Sequence, residues 1–247
     1  MSPPVTMRSR PDDNYLRATR HPWPCLLFLL PLLVFYEGGV YYLGGRQPEA
    51  LRNGADNWFR QGLASLGLGQ QLWAPAVLLL VLAVWNWRRR QERPGDLLGV
   101  LCGMAIETVA WALALWGISR GLGPLVDYLG LELNVPAAEG VTQVITFVGA
   151  GIYEEMLFRL LLFSGLMAIL SRLEVPGWLA VGFAGLASAL LFSAAHHVGP
   201  FGEPFDGYTF LFRTIAGFYF AVVYRLRGFG IAVGAHACYD VIVGTVA

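Results

Sequence analysis

The sequence predicts an all-α protein, a polytopic transmembrane helical bundle with about seven spans. Of its 247 residues, 56% are hydrophobic and only 14% are charged. In a soluble domain about a quarter of all residues are charged. The low charged fraction matters most, because lipid penalises a charged side chain more strongly than it rewards an apolar one. The formal net charge is zero, so no broad basic surface indicates a nucleic-acid partner. Long apolar runs separated by short polar segments indicate that the chain crosses the membrane several times.

The apolar runs indicate where the chain crosses the membrane, because about 30 Å of hydrocarbon takes about 20 residues of helix. The predicted spans are Pro24–Leu43, Leu72–Trp87, Leu97–Ile118, Val141–Leu170, Trp178–His196, Tyr208–Tyr224 and Phe229–Ala247. The fourth is too long for one straight crossing, so it must tilt, break or begin at the membrane surface. The sixth contains Arg213 and the seventh is rich in Gly and Ala, which favours places inside the bundle.

The arginines set the expected orientation. All 17 basic residues are Arg, and the loops and tails carry eleven of them on one side of the predicted topology against four on the other. The positive-inside rule then puts the N-terminus in the cytoplasm and the C-terminus outside. Arg46, Arg52 and Arg60 in the first loop oppose this trend. The lack of lysine and the short loops are typical of a bacterial protein, so we expect the bacterial inner (plasma) membrane.

The chain divides into three predicted regions. They are a cytoplasmic tail (1–23), N-terminal membrane helices (24–140) and a membrane core that carries the polar motifs (141–247). In the loop 44–71, apolar residues such as Trp58, Phe59 and Leu63 alternate with polar ones. This pattern predicts a short amphipathic helix at the membrane surface.

Ionisable residues inside the fourth span form the first candidate site. Such residues are costly at membrane depth and indicate function by default. Glu155 and Arg159 are four residues apart and can pair along one helix face. Glu154 points about 100° away and stays free to take a proton from water, as a general base does. The alternative is an ion-pair cluster that only locks two helices together.

Two further spans carry histidines. Phe192 and His196 lie one turn apart at the end of the fifth span, where a single His is more often an interfacial residue than a catalytic one. His236 and Asp240 in the seventh span share a helix face. They could hydrogen-bond to each other, bind a metal together or stabilise an anion; the alternative is a mutually satisfied polar pair in the bundle core.

In combination, these motifs resemble the CPBP family, which groups type II CAAX prenyl proteases with bacterial membrane proteins linked to bacteriocin processing and self-immunity. The family pattern EExxxR, FxxxH and HxxxN/D is matched by Glu154-Glu155-xxx-Arg159, Phe192-xxx-His196 and His236-xxx-Asp240. The resemblance covers the chain from about Val141 onward. It implies an intramembrane endopeptidase that acts on a membrane-associated protein or peptide within the lipid bilayer. By this analogy Glu154 and His196 activate the water, Glu155 and Arg159 support them, and His236 and Asp240 stabilise the oxyanion.

The resemblance leaves the use of a metal open, because family members are described both as metalloproteases and as glutamate-dependent proteases. If a metal is present, Glu154, His196, His236 and Asp240 would serve as a zinc set, although no HExxH motif occurs. The family pattern allows Asn or Asp at the last position, and here it is Asp240. It can donate a hydrogen bond only when protonated, and otherwise would orient His236.

Two other functions fit part of the pattern. Glu37 and Glu107, on the first and third spans, would suit a proton-coupled transporter. A non-catalytic immunity or binding protein could share the fold. The predicted span ends also put Glu154, His196 and His236 at heights that differ by about 10–15 Å, which the fold must reconcile if they share a site.

Overall fold

The computed structural model describes residues 15–45, 47–69, 72–128, 140–199 and 202–246, and within these ranges it contains helices and no strand. Residues 1–14 of the predicted N-terminal tail lie outside the described residues. The α-helices are α1 (Tyr15–Ala18), α2 (Pro22–Gly44), α3 (Gly54–Ser65), α4 (Trp73–Arg88), α5 (Leu97–Tyr128), α6 (Val141–Glu155), α7 (Ser164–Arg172), α8 (Gly177–Ala195), α9 (Gly207–Arg227) and α10 (Phe229–Val246). Short 3₁₀ turns occupy Pro48–Leu51 and Arg90–Glu92.

The all-helical membrane class is confirmed, but the count of about seven spans is not. Among the described residues, four helical segments are long and apolar enough to cross a bilayer: Pro22–Gly44, Leu97–Gly121, Gly177–Ala195 and Gly207–Arg227. Trp73–Arg88 and Phe229–Thr245 are apolar but shorter. The helices agree with the predicted runs within a few residues, except that α5 continues ten residues beyond Ile118. The agreement arises because hydropathy and length are local properties of the chain.

The long fourth run is one continuous helix whose middle part is a π-helix. The π segment, Met156–Phe163, connects α6 to α7 and begins directly after Glu155. The Ser188 hydroxyl donates to the carbonyl of Phe158 at 2.8 Å, and the Ser164 hydroxyl donates to that of Arg159 at 3.1 Å. Both bonds satisfy carbonyls in the segment where the helical pattern changes. Since π segments are frequent at functional sites, this one points to the adjacent carboxylates.

Helices α6 and α10 lie against each other in the centre of the bundle. A Cβ on Gly151 would lie 2.7 Å from the Val233 carbonyl oxygen and 2.9 Å from the Ala237 nitrogen, so only glycine permits this approach. Gly151 is one turn before Glu155, and Val233 and Ala237 flank His236 on α10. The close contact therefore brings the paired glutamates of α6 beside His236.

The predicted amphipathic segment does form a helix, α3, but its polar residues are not all at the surface. Asp56 is fully buried and accepts hydrogen bonds from Tyr36 at 2.7 Å and from Arg52 at 2.7 Å. Arg60 donates to the other oxygen of Asp56 at 2.6 Å, and both arginines pair with Glu37. A four-charge cluster thus attaches α3 to α2, which local amphipathicity does not predict.

Candidate active site

Glu154 lies between two imidazole rings. Its Oε1 is 3.8 Å from Nε2 of His196, and its Oε2 is 3.7 Å from Nε2 of His236. Glu154 is 8% exposed, and its side chain faces a cavity while the surrounding helices cover the rest. Both separations exceed a direct hydrogen bond, so the carboxylate is close to the histidines without being bound to either. This arrangement leaves its oxygens available to a water molecule in the cavity.

In both histidines, Nδ1 makes a hydrogen bond to an oxygen acceptor on the side away from Glu154. Nδ1 of His196 is 2.9 Å from the Phe192 carbonyl oxygen, and Nδ1 of His236 is 2.8 Å from Oε1 of Glu155. Carbonyl and carboxylate oxygens accept, so each Nδ1 carries the hydrogen. The two hydrogen bonds fix both rings with Nε2 directed toward Glu154.

Glu155 has two partners, of which the sequence predicted one. Its Oε1 is 3.1 Å from Nη1 of Arg159, one turn along the helix, and both side chains are fully buried. The guanidinium also donates from Nη2 to the Gly217 carbonyl at 3.0 Å. The second partner, His236, is 81 residues away in the chain. No local spacing relates Glu155 to His236, so sequence analysis could not assign this contact.

Two phenylalanines, Phe192 and Phe220, pack against the polar groups of the site. Phe220 stacks on His236 with ring centroids 4.6 Å apart, and Phe192 meets the rings of His196 and His236 edge-on at 5.0 and 5.9 Å. Phe192 also lies under the Arg159 guanidinium at 4.6 Å. The Phe of the FxxxH motif is thus a contact surface for three of the charged or polar groups at once, which explains its place beside the histidine.

Asp240 lies on the cavity side of His236. Its Oδ2 is 3.5 Å from Nε2 of His236, and its side chain is 23% exposed. The hydrogen bond that orients the His236 ring comes from Glu155, at Nδ1, and Asp240 faces the opposite nitrogen. Asp240 is therefore positioned toward the same space as Glu154 and not behind the imidazole.

A cavity of about 800 Å³ leads to these groups. Its walls come from α3, the second half of α5, nearly the whole of α6, the end of α8, the first two thirds of α9 and the second half of α10. Aromatic side chains make up much of the surface: Trp58, Trp116, Phe147, Phe158, Phe192, Tyr208, Phe212, Phe220 and Tyr239. Such a cavity is large enough for several residues of a peptide and offers mostly apolar contacts.

The expected height difference of about 10–15 Å between the site residues does not occur. Glu154 lies about 20 Å along the axis from the start of α6, yet His196, at the very end of α8, is 3.8 Å from it. Helix α8 thus ends beside Glu154, and the Glu203 amide donates to the His196 carbonyl at 2.8 Å as the chain turns back. The prediction was wrong because it placed each residue by its distance from a predicted span end, whereas the packing of α6, α8 and α10 brings the three side chains together.

Glu37 and Glu107 do not join the site. Glu107 accepts hydrogen bonds from Tyr15 at 2.8 Å and Trp111 at 2.9 Å, and from Arg227, whose Nη2 is at 2.7 Å. Glu37 pairs with the arginines of the α3 cluster and accepts from Tyr153 at 2.7 Å. Each carboxylate is thus held in a separate ion-pair network, and these contacts give a structural reason for its presence in the membrane.

One ion pair at the cavity was not predicted. Arg213 donates to both carboxylate oxygens of Glu203, at 2.8 and 2.9 Å, and both residues line the cavity. The hydrogen bond from Arg213 lowers the pKa of the Glu203 carboxyl group. Glu203 lies in a loop without periodicity, so no signal in the sequence marks it as the partner of Arg213.

The zinc set proposed from the sequence, Glu154, His196, His236 and Asp240, stays a prediction. In the part of the chain that the structure describes, no three His, Cys, Asp or Glu side chains converge to hold a metal ion. The nitrogens that face inward, Nε2 of His196 and of His236, are 3.8 and 3.7 Å from different oxygens of Glu154. No step of the chemistry is therefore derived through a metal.

Part of the chain is similar to a known protein family. The family model of the type II CAAX prenyl endopeptidase Rce1-like proteins matches residues 136–242. No curated protein and no solved structure matches the chain. The matched stretch contains Glu154, Glu155, Arg159, His196, His236 and Asp240, whereas α1 to α5 lie outside it.

Proposed function

Since residues 136–242 match the family model of the type II CAAX prenyl endopeptidase Rce1-like proteins, we propose that this membrane protein is an endopeptidase that hydrolyses a peptide bond of a membrane-associated protein or peptide by means of Glu154-activated water. The single observation that carries the proposal is the position of Glu154 between the Nε2 atoms of His196 and His236, at the end of the 800 Å³ cavity.

Glu154 acts as the general base in this mechanism. A carboxylate within reach of a water can take its proton as the water attacks a carbonyl carbon. His196 holds the same water through Nε2, because its Nδ1 hydrogen is already donated to the Phe192 carbonyl. The proton received by Glu154 then passes to the nitrogen of the leaving amine, which balances the reaction.

His236 provides the oxyanion contact. To donate from Nε2 while Nδ1 donates to Glu155, the imidazole must carry both protons. Three carboxylates surround it, those of Glu154, Glu155 and Asp240, and they attract a positive charge. A donor fixed in advance in a water-poor site stabilises the developing negative charge strongly. Asp240, 3.5 Å from the same nitrogen, is the second group that can reach the oxyanion, provided that it carries a proton.

Arg159 keeps the buried charges in balance. Its guanidinium is fully buried 3.1 Å from Glu155, so Glu155 can accept from His236 without an uncompensated negative charge in the core. An unpaired buried charge costs several kcal/mol. Arg159 therefore acts through Glu155 on the orientation of His236, and it does not touch the substrate.

Comparing Glu154→Gln with wild-type enzyme tests the proposal. Membrane and secreted proteins from cells with each form are compared by mass spectrometry of their new N- and C-termini. We expect termini that need wild-type Glu154 and a variant that accumulates normally. Glu92→Gln, at an exposed position in the 3₁₀ turn after α4 and outside the cavity, is the matched control. Identical termini in both strains would overturn the proposal and favour a non-catalytic immunity or binding protein.

Metal dependence is tested on the purified enzyme in the same assay. Proton transfer by Glu154 and the two histidines needs no added ion, so we expect activity to persist after dialysis against a chelator. Loss of activity that Zn²⁺ restores would replace the glutamate mechanism with a metal-assisted one, in which Glu154 and the histidines would serve as ligands.

A further inference from the structure

The cavity opens toward one end of the bundle, which we name the cavity end: the end at which α6 begins and α8 and α10 finish. The innermost wall is formed by Phe158, Phe192 and Phe220, below Glu154. From there the walls follow α10 to Gly244 and α6 back to Gln143, toward the cavity end. Because α8 stops beside Glu154, no turn of this helix closes the path. Substrate therefore reaches Glu154 from the cavity end.

The opposite end of the bundle, at which α4, α7 and α9 finish, carries most of the charge, and we name it the basic end. Contacts define it: Nε2 of His21 donates to the Arg89 carbonyl at 3.0 Å, and Arg227 pairs with Glu107 near the start of α5. The described arginines at this end are Arg17, Arg20, Arg88, Arg89, Arg90, Arg93, Arg172, Arg225 and Arg227. Against these nine stand the acidic residues Glu92, Asp96 and Glu174.

The cavity end carries fewer arginines, and most of them are engaged inside the fold. The described ones are Arg52, Arg60, Arg120 and Arg213. Arg52 and Arg60 belong to the buried cluster with Glu37 and Asp56, and Arg213 pairs with Glu203. These contacts give Arg52 and Arg60 a structural role, so the first loop no longer contradicts the orientation that the remaining arginines indicate.

Positive charge next to a span stays on the cytoplasmic side, and the bias counts Lys and Arg within short loops. With nine described arginines at the basic end and four at the cavity end, the basic end is cytoplasmic. From this we infer that the catalytic cavity opens on the extracytoplasmic face, and that the substrate is a membrane-anchored polypeptide whose scissile bond lies on or just beneath that face. The part of this inference that concerns cleavage rests on the proposed function, whereas the orientation of the cavity does not.

The geometry also limits which substrates reach Glu154. A lipid-modified chain end on the cytoplasmic surface would approach the basic end, where Phe158, Phe192 and Phe220 separate it from the catalytic groups. A segment that leaves the outer half of the bilayer meets the aromatic cavity wall first and Glu154 after it. The substrate class is therefore the extracytoplasmic juxtamembrane part of an anchored protein or exported peptide.

Cysteine labelling tests the orientation. Leu66→Cys and Phe205→Cys place thiols at the cavity end, and Gln91→Cys and Leu173→Cys place them at the basic end; all four positions are exposed. The probe is a membrane-impermeant maleimide, applied to intact cells (or spheroplasts) and to lysed cells. The parent protein, whose cysteines lie in α2, α5 and α10, gives the background labelling.

We expect labelling of Leu66→Cys and Phe205→Cys in intact cells, and of Gln91→Cys and Leu173→Cys only after lysis. The reverse pattern would overturn the inference, and either cavity-end variant suffices if the other fails to accumulate.

The cleavage side is a second, separate readout. The termini that depend on wild-type Glu154 are assigned to a membrane face by their position relative to the anchor of each substrate. We expect them on the extracytoplasmic side. Glu154-dependent cleavage confined to the cytoplasmic side would refute the inference while the proposed function stands. Correct labelling with no Glu154-dependent termini would refute the proposed function while the orientation stands.

Discussion

His236 and Glu155 form a hydrogen bond of 2.8 Å between Nδ1 and Oε1, across 81 residues of sequence. The same carboxylate oxygen is 3.1 Å from the Arg159 guanidinium, so one buried atom joins a histidine of α10 to an arginine of the π segment. The second Glu of the EExxxR motif is thus neither a spare base nor only a partner of Arg159. It holds the imidazole that faces Glu154 and the cavity.

Replacing Glu155 with Gln tests this positioning role. Gln leaves Arg159 as an uncompensated buried charge, which costs about 3–5 kcal/mol of stability. It also weakens the bond that orients His236, so we expect activity per folded molecule to fall about 10–100-fold. Thermal unfolding in detergent and initial cleavage rates measure the two effects.

The double variant Glu155→Gln/Arg159→Met separates the effects. It removes both charges and should recover much of the stability while activity stays low. Recovery of both quantities would mean that Glu155 serves only to neutralise Arg159.

Asp240 offers a comparison with Asn, which the HxxxN/D pattern also allows at this position. An Asn donates from its amide at any pH, whereas Asp240 donates only when protonated. We expect Asp240→Asn to keep activity within a few-fold and Asp240→Ala to lose about 10²–10³-fold, as for a removed oxyanion donor. Rates of both variants from pH 5 to 9 check this. Equal loss in the two variants would instead indicate that the negative charge of Asp240 is required.

The α3 cluster should contribute to stability more than to chemistry. Asp56 is fully buried and pairs with both Arg52 and Arg60. Asp56→Asn leaves two arginines with Glu37 as their carboxylate partner, and we expect a loss of about 3–5 kcal/mol. Unfolding temperature and yield of the folded protein measure it. Asp96→Asn, at an exposed position before α5, is the control. An unchanged unfolding temperature would show that the cluster is not stabilising.

The Glu203–Arg213 pair predicts a dependence on pH. Arg213 lowers the pKa of Glu203 in the folded state, so the pair stabilises the fold above the unfolded value, about 4.3, and this contribution is lost as pH falls through the lower folded value. Both side chains are partly exposed, which limits the effect at neutral pH to about 0.2–1 kcal/mol. The difference in unfolding temperature between wild type and Glu203→Gln should be present at pH 7 and vanish near pH 3. A difference that is independent of pH would contradict this origin.

Much of the fold was predictable from sequence because it depends on local quantities. Charge deficit and apolar run length predicted an all-helical membrane protein, and the helix bounds differ from the predicted runs by only a few residues at most ends. The family resemblance, carried by the spacing of Glu154, His196, His236 and their neighbours, is confirmed for residues 136–242. The span count of about seven is not confirmed, since α4 and α10 are shorter than the other crossing helices and the fourth run is interrupted by the π segment.

The sequence by itself predicted the helices, the family resemblance and the side chains proposed for the site, because each follows from composition or from spacing along one helix. Tertiary structure alone decided how they meet. It ended α8 beside Glu154, joined Glu155 to His236 and gave Arg52 and Arg60 carboxylate partners. These relations depend on how far one helix slides and turns against another. That is set by close contacts such as Gly151 on α10, between residues about 80 positions apart, and no periodicity in the chain records it.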